Sequence, residues 1–236
     1  MDIHKPKAAH SWREFLIEIG TIICGILIAL GLEQVATAIH ERRIADEARE
    51  SVRAEVRENL WWIERREGRE ACVNQKLGEI GLVLGHARHA QPFEVPRQVE
   101  LPVHAKLTTL RWEANSQAGR ASLFTPTEQR YLGNMYFSMD EFRRAQDRET
   151  EVWSKLGAME NLDHFTSNQL DEFGVFLAQA RYLNGRVALS SQRAHQWAER
   201  MHVVAESSDN PGIQPVGGQI RCLPIGTARS PDGTAR

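Results

Sequence analysis

Apolar positions along this chain fall into three regimes. Residues 15–39 read FLIEIGTIICGILIALGLEQVATAI, with no polar face and only Glu18 and Glu33 interrupting. Residues 40–205 alternate charge with apolar residues at three- and four-residue spacings, which predicts amphipathic helices. From Glu206 onward Pro, Gly, Ser and Asp dominate and periodicity ends, which predicts a mostly disordered tail over 206–236. The expected fold class is all-α, with a tail over 1–14, one transmembrane helix over 15–39, and a helical-bundle extramembrane domain over 40–205.

The apolar segment is long enough to cross a bilayer. At ~1.5 Å rise per residue its 25 residues reach roughly 37 Å, against a hydrocarbon core of about 30 Å. Trp12 and Arg13 precede it as an interfacial aromatic and a snorkelling cation. On a helical wheel Glu18, Gly25, Ala29 and Ala36 share a face with Thr21 beside them, a candidate helix-association stripe, because small residues let helices approach closely in lipid. The rival reading is a signal peptide. Lys5, Lys7 and Arg13 would be its basic region and Ala36-Thr37-Ala38 its A-x-A site, releasing a soluble helical binding protein after Ala38.

Glu18-Ile19 followed by Gly25-Ile26-Leu27-Ile28-Ala29-Leu30 resembles the N-terminus of an uncharacterised bacterial family of single-span membrane proteins, known only as a domain of unknown function. The resemblance covers roughly residues 10–60; Ile17 stands where that family has Gly. It implies a membrane anchor followed by a helical domain, and nothing catalytic.

After the anchor, residues 40–69 carry near-equal numbers of acids and arginines around an apolar stripe of Ala45, Ala48, Val52, Val56, Leu60 and Ile63. This predicts one helix continuing from the anchor to a stop or bend near Gly68. Val73, Leu77, Ile80, Leu84 and Ala87 continue the pattern, and Gly78, Gly81 and Gly85 predict close packing there. Prolines 92, 96 and 102 exclude a helix over 91–104, and Val99, Leu101 and Val103 alternate like a short extended segment. Helix is expected to return over 107–121, with Leu110, Ala114, Ala118 and Ala121 on its inner face. Thr125-Pro126-Thr127-Glu128 and Thr166-x-x-Gln169 are capping boxes. The first opens a helix whose polar middle, residues 143–151, is expected to emerge toward solvent. The second opens one with two apolar columns, in which Asn184 either fixes packing register or marks a polar gap.

Charge and motifs narrow the function. With 29 basic and 31 acidic residues the net charge is −2, which supplies no drive toward nucleic acid. There is no Walker loop, no H-E-x-x-H, no C-x-x-C and no G-x-S-x-G. His86 and His89 are expected as a surface pair without further metal ligands, and Asp163-His164 has no associated nucleophile. The expectation is a non-enzymatic protein with no cofactor and no metal. Its expected partners are the lipid bilayer and a second copy or another membrane protein, in a bacterial inner membrane. A short basic N-terminus before one span places the C-terminal domain in the periplasm. There Cys72 and Cys222 form a candidate disulfide, with Cys24 inside the span.

Overall fold

The computed structural model describes residues 12–94, 99–162 and 164–205. Among them are five α-helices and no strand: α1 (Trp12–Glu67), α2 (Glu70–Arg88), α3 (Leu110–Gln117), α4 (Pro126–Gly157) and α5 (Ser167–Arg200). Two short 3-10 turns, Arg120–Leu123 and Ala158–Asn161, lead into α4 and out of it. The all-α expectation holds; the 206–236 tail lies outside the described residues. The chain divides into two compact units, one up to Arg49 and one from Glu50.

The first unit is a single helix, the N-terminal part of α1. Its large apolar side chains from Trp12 to Ile39 are exposed. An 18-residue window reaches a mean hydropathy of 2.4 with none of it buried, so this helix is long and apolar enough to cross a membrane. Thr21 Oγ1 donates to the Ile17 carbonyl at 2.8 Å, which satisfies the hydroxyl within the helix.

The second unit is a bundle whose register can be read from its polar contacts. Residues 50–67 of α1 run on into α2 through Gly68 and Arg69, with only a turn between them. Glu67 meets Ser191 and His195, Asn74 meets Asn184, and Arg88 meets Leu170 and Asp171, so α1 and α2 lie antiparallel to α5. Tyr131 stacks near Trp197, and Lys155 lies over Phe176, so α4 is also antiparallel to α5. Glu55 pairs with Tyr136 and Arg66 with Glu149, so α1 and α4 run parallel. Both capping boxes form as expected, and α4 and α5 start at them. The stripe from Val52 to Ile63 is buried, and Val73, Leu77, Ile80 and Leu84 join Trp153, Leu156, Phe173 and Leu177 in one core cluster.

Parallel neighbours need a long return connection. Residues 99–110 supply it as a strap between α1/α2 and α4. Val99 N–H donates to Glu160 in the turn that follows α4, and Ala105 meets Gln146 in α4, fourteen residues earlier. Fourteen helical residues span roughly 21 Å. The six strap residues reach about 20 Å only if the chain is nearly extended.

The short extended segment expected around 99–103 is the strap; it pairs with no strand, and Val99 is buried while Leu101 is exposed. Other expectations are corrected here. Helix α3 covers only Leu110–Gln117 and does not pack through its apolar face. Leu110 is 73% exposed, and the buried positions are Asn115 and, in part, Trp112. Gly119, at φ 71°, stops it in the left-handed conformation. The polar middle of α4 emerges toward solvent on one side only: Arg143, Arg144, Asp147, Arg148 and Glu151 are exposed, whereas Gln146 and Glu149 are buried with partners. Of the three α2 glycines only Gly81 abuts a neighbour; a Cβ on Gly78 or Gly85 would meet nothing within 4 Å.

Candidate functional site

The described side chains that could carry function fall into four groups. The first is the α1 stripe. Glu18, Thr21, Gly25, Ala29 and Ala36 are all exposed on the helix, and a Cβ on Gly25 would meet nothing.

The second is a line of buried polar residues that holds the strap. Glu55 accepts from Arg111 N–H at 2.7 Å, Trp112 N–H at 3.1 Å and Tyr136 O–H at 2.6 Å. Its carboxylate therefore caps the first turn of α3 from another element. Burial, with Glu55 beside it, pushes the Tyr136 phenol far above its ordinary value. One turn along, Asn59 donates to Thr108 O at 2.7 Å and accepts from Thr108 N–H at 2.9 Å. Gln146 does the same for Ala105, at 3.3 Å and 2.8 Å. Carboxamides thus take the place of a β ladder, because an extended segment between helices must satisfy its backbone through side chains. Further along, Arg66 Nη2 donates to both Glu149 oxygens at 2.9 and 3.0 Å and to Asn184 Oδ1 at 3.1 Å. Asn184 Nδ2 donates to Asn74 Oδ1 at 2.9 Å. Asn184 is therefore a register pin joining α1, α2 and α5. Burial pushes the Glu149 carboxyl up, and the Arg66 charge offsets this only in part.

The third group is Glu67, Ser191 and His195. These are the side-chain types of a serine triad, but the wiring differs. Ser191 O–H donates to Glu67, and His195 Nε2 lies 3.2 Å from the same carboxylate, so the imidazole does not accept from the serine. Burial pushes Glu67 up, but its bonds from His195 and Ser191, with the His195 charge, outweigh it and hold it low. The Glu67 contact holds His195 above its ordinary value. His86 and His89 are exposed, with His89 at the helix cap. No group of three metal-ligating side chains occurs among the described residues. Asp163 lies outside the described residues, and His164 is exposed.

The fourth group is two surface grooves. One, of about 460 Å³, runs between α4 and α5, with Phe137 (59% exposed) and Tyr182 (67% exposed) on it. Both of its acids are ion-paired: Glu141 with Arg186 at 2.9 Å and Arg193 at 2.8 Å, Asp140 with Arg143 and Arg144 at 2.7 Å. The other, of about 340 Å³, lies where α2, the strap and α4 meet, lined by Arg69, Cys72, Lys76, Leu101, Val103 and Trp153 among others. Lys76 bridges it to Glu100 at 3.2 Å. Trp153 is fully buried, and neither its indole N–H nor Arg69 Nε has a hydrogen-bond partner. Cys72 is disulfide-bonded and Cys24 is free and exposed; Cys222 lies outside the described residues.

Of the second group, sequence patterning singled out only Asn184. Glu55, Asn59, Arg66, Gln146 and Glu149 read as parts of charged faces. Their one signal was position: Glu55 and Asn59 sit beside Val56 and Leu60, flanking the apolar stripe. No family model, no curated protein and no solved structure matches this chain. The resemblance over residues 10–60 rests on those residues alone.

Proposed function

We propose that this chain is a single-pass protein of a bacterial inner membrane. Residues 15–39 of α1 span the bilayer and hold the helical unit in the periplasm, where it works by protein–protein contact as a scaffold, assembly factor or sensor-like subunit. The observation that carries this reading is the apolar run of α1, with a mean hydropathy of 2.4 and no part of its window buried. Full burial of a single Ile or Leu side chain is worth about 1.5–3 kcal/mol, so a surface with this many exposed apolar residues requires lipid or protein around it. The disulfide at Cys72 supports an oxidising compartment. The buried charges support a binding rather than a catalytic role, since Glu55, Arg66 and Glu149 hold elements together within the unit. The Glu18–Ala36 stripe makes a second copy of the chain the first partner to test.

Ala36-Thr37-Ala38 favours a second reading, an exported soluble protein cleaved after Ala38. The continuous helix through that site to Glu67 favours retention. Intact mass of the protein from its native host separates the two. The proposal expects residues 1–38 to be present; their loss selects the soluble protein.

A further inference from the structure

We propose that the basic face of α1 and α2 beside the strap docks an acidic, extended segment of a partner protein. The inference rests on the reading that this unit works by protein–protein contact, and it names the chemistry of the partner.

Trp62, Arg65, Arg69 and Lys76 are spaced three, four and seven residues apart, so they share one face where α1 runs on into α2. The strap passes along that face in the opposite direction. Lys76 Nζ lies 3.2 Å from Glu100, and Lys106 Nζ lies 5.9 Å from the Trp62 ring centroid. Arg65 stands over the rings of Trp61 and Trp62, at 5.4 and 5.8 Å. Two cations therefore meet at Trp62, one from the helix and one from the strap. Arg69 follows one turn along and lines the groove of about 340 Å³. Burial, with Arg65 beside it, pushes the Arg69 guanidinium down, and Glu100 offsets this only in part.

The carboxylates near this face are already engaged. Glu100 pairs with Lys76, and Glu58 lies 3.9 Å from Arg111. Among the described residues Arg65, Arg69 and Lys106 have no ion-pair partner. Arg65 and Arg69 are half-buried and Lys106 is exposed, so an outside anion can reach them. Like charges held this close on packed elements repel one another, and anionic groups laid between them relieve that repulsion.

The spacing of the cations selects the kind of anion. Arg65 is drawn toward Lys106 over Trp62, whereas Arg69 lines the groove with Leu101 and Val103. The charges are strung along the strap and not gathered round one point, which fits a row of carboxylates better than a single phosphate. Arg65 and Arg69 are four helical residues apart, a rise of roughly 6 Å. Alternate side chains on one side of an extended chain are about 6.6 Å apart, so successive carboxylates of such a segment reach both arginines.

The test follows the fluorescence anisotropy of a labelled peptide of alternating Glu and Thr with the purified full-length chain in uncharged detergent micelles. The expected result is saturable binding that weakens as salt is raised. Replacing every Glu of the peptide by Gln should weaken it by at least about tenfold. Arg65→Gln combined with Arg69→Gln should do the same, while Arg148→Gln, at an exposed arginine in the α4–α5 groove, should change nothing. Hydrogen exchange on the wild type keeps the test open if the double variant does not fold: bound peptide should slow exchange over residues 100–106. An equal loss in Arg148→Gln, unchanged exchange at the strap, or displacement of the peptide by inorganic pyrophosphate more readily than by unlabelled peptide would each overturn the acidic partner. A chain that binds no peptide yet stays in the membrane after a carbonate wash overturns the docking face and leaves the anchor standing. Peptide binding by a chain whose intact mass lacks residues 1–38 supports the docking face and overturns the anchor.

Discussion

Arg66 and Glu149 are the most consequential pair of side chains in the bundle. Both are buried, and burial already presses Glu149 toward its neutral form. Removing only the cation leaves a buried carboxylate without compensation, so Arg66→Met is expected to destabilise the bundle by about 3–5 kcal/mol in chemical denaturation. Arg66→Met combined with Glu149→Leu should recover most of that loss, because no unpaired charge remains. A double variant as unstable as the single one would mean that Asn184, not charge, dominates the site. Glu67 and His195 make a pH prediction. His195 is raised, so its contribution is complete below its ordinary 6.5 and lost as pH rises through the higher folded value. Glu67 is lowered, so its contribution is complete above its ordinary 4.5 and lost as pH falls through the lower folded value. Glu64, raised mainly by burial, adds stability on the acid side. The Glu67–His195 contribution is therefore greatest between about pH 4.5 and 6.5, and His195→Gln should flatten the decline above neutrality in a series of thermal melts. Both residues are over a third exposed, so the effect should be modest.

Among the helices, glycine separates what packs from what does not. Gly78 and Gly85 sit inside α2 with open space where a Cβ would be, so Gly78→Ala and Gly85→Ala should each stabilise by about 0.5–1 kcal/mol. Gly81→Ala should gain less or nothing, since its Cβ would lie 2.8 Å from Arg181 Nη2, which donates to Leu77 O. Equal gains at all three would show that α2 and α5 do not approach at Gly81. The same helices mark what the sequence made legible. The α4 and α5 starts could be read because a capping box closes within four residues, and the columns of α2 and α5 could be read because core burial follows helical period. The strap could not. Its partners are Asn59, 49 residues away, and Gln146, 41 residues away, and such pairing leaves no local pattern. Helix α3 misled for a related reason. Glu55 from α1 sets where it starts, and Trp112, stacked 5.3 Å from Tyr136, sets which side faces in. The four small and apolar residues on its other side remained the stronger periodic signal.

For the molecule as a whole, the proposed membrane location rests on the long apolar part of α1. If Gly25 and Ala29 let two spans meet, Gly25→Ile together with Ala29→Ile should weaken self-association in a membrane reporter assay, while Ile23→Ala off the stripe should not. Unchanged association would remove the stripe as an interface. The membrane reading and the periplasmic reading meet in protease accessibility of carbonate-washed and spheroplast preparations from the same cells. The full-length chain should pellet with membranes after the carbonate wash. In unbroken spheroplasts, added protease should then digest residues 50–205 down to a fragment containing residues 15–39. A chain released by carbonate, or a bundle protected until the spheroplasts are lysed, would contradict the proposal.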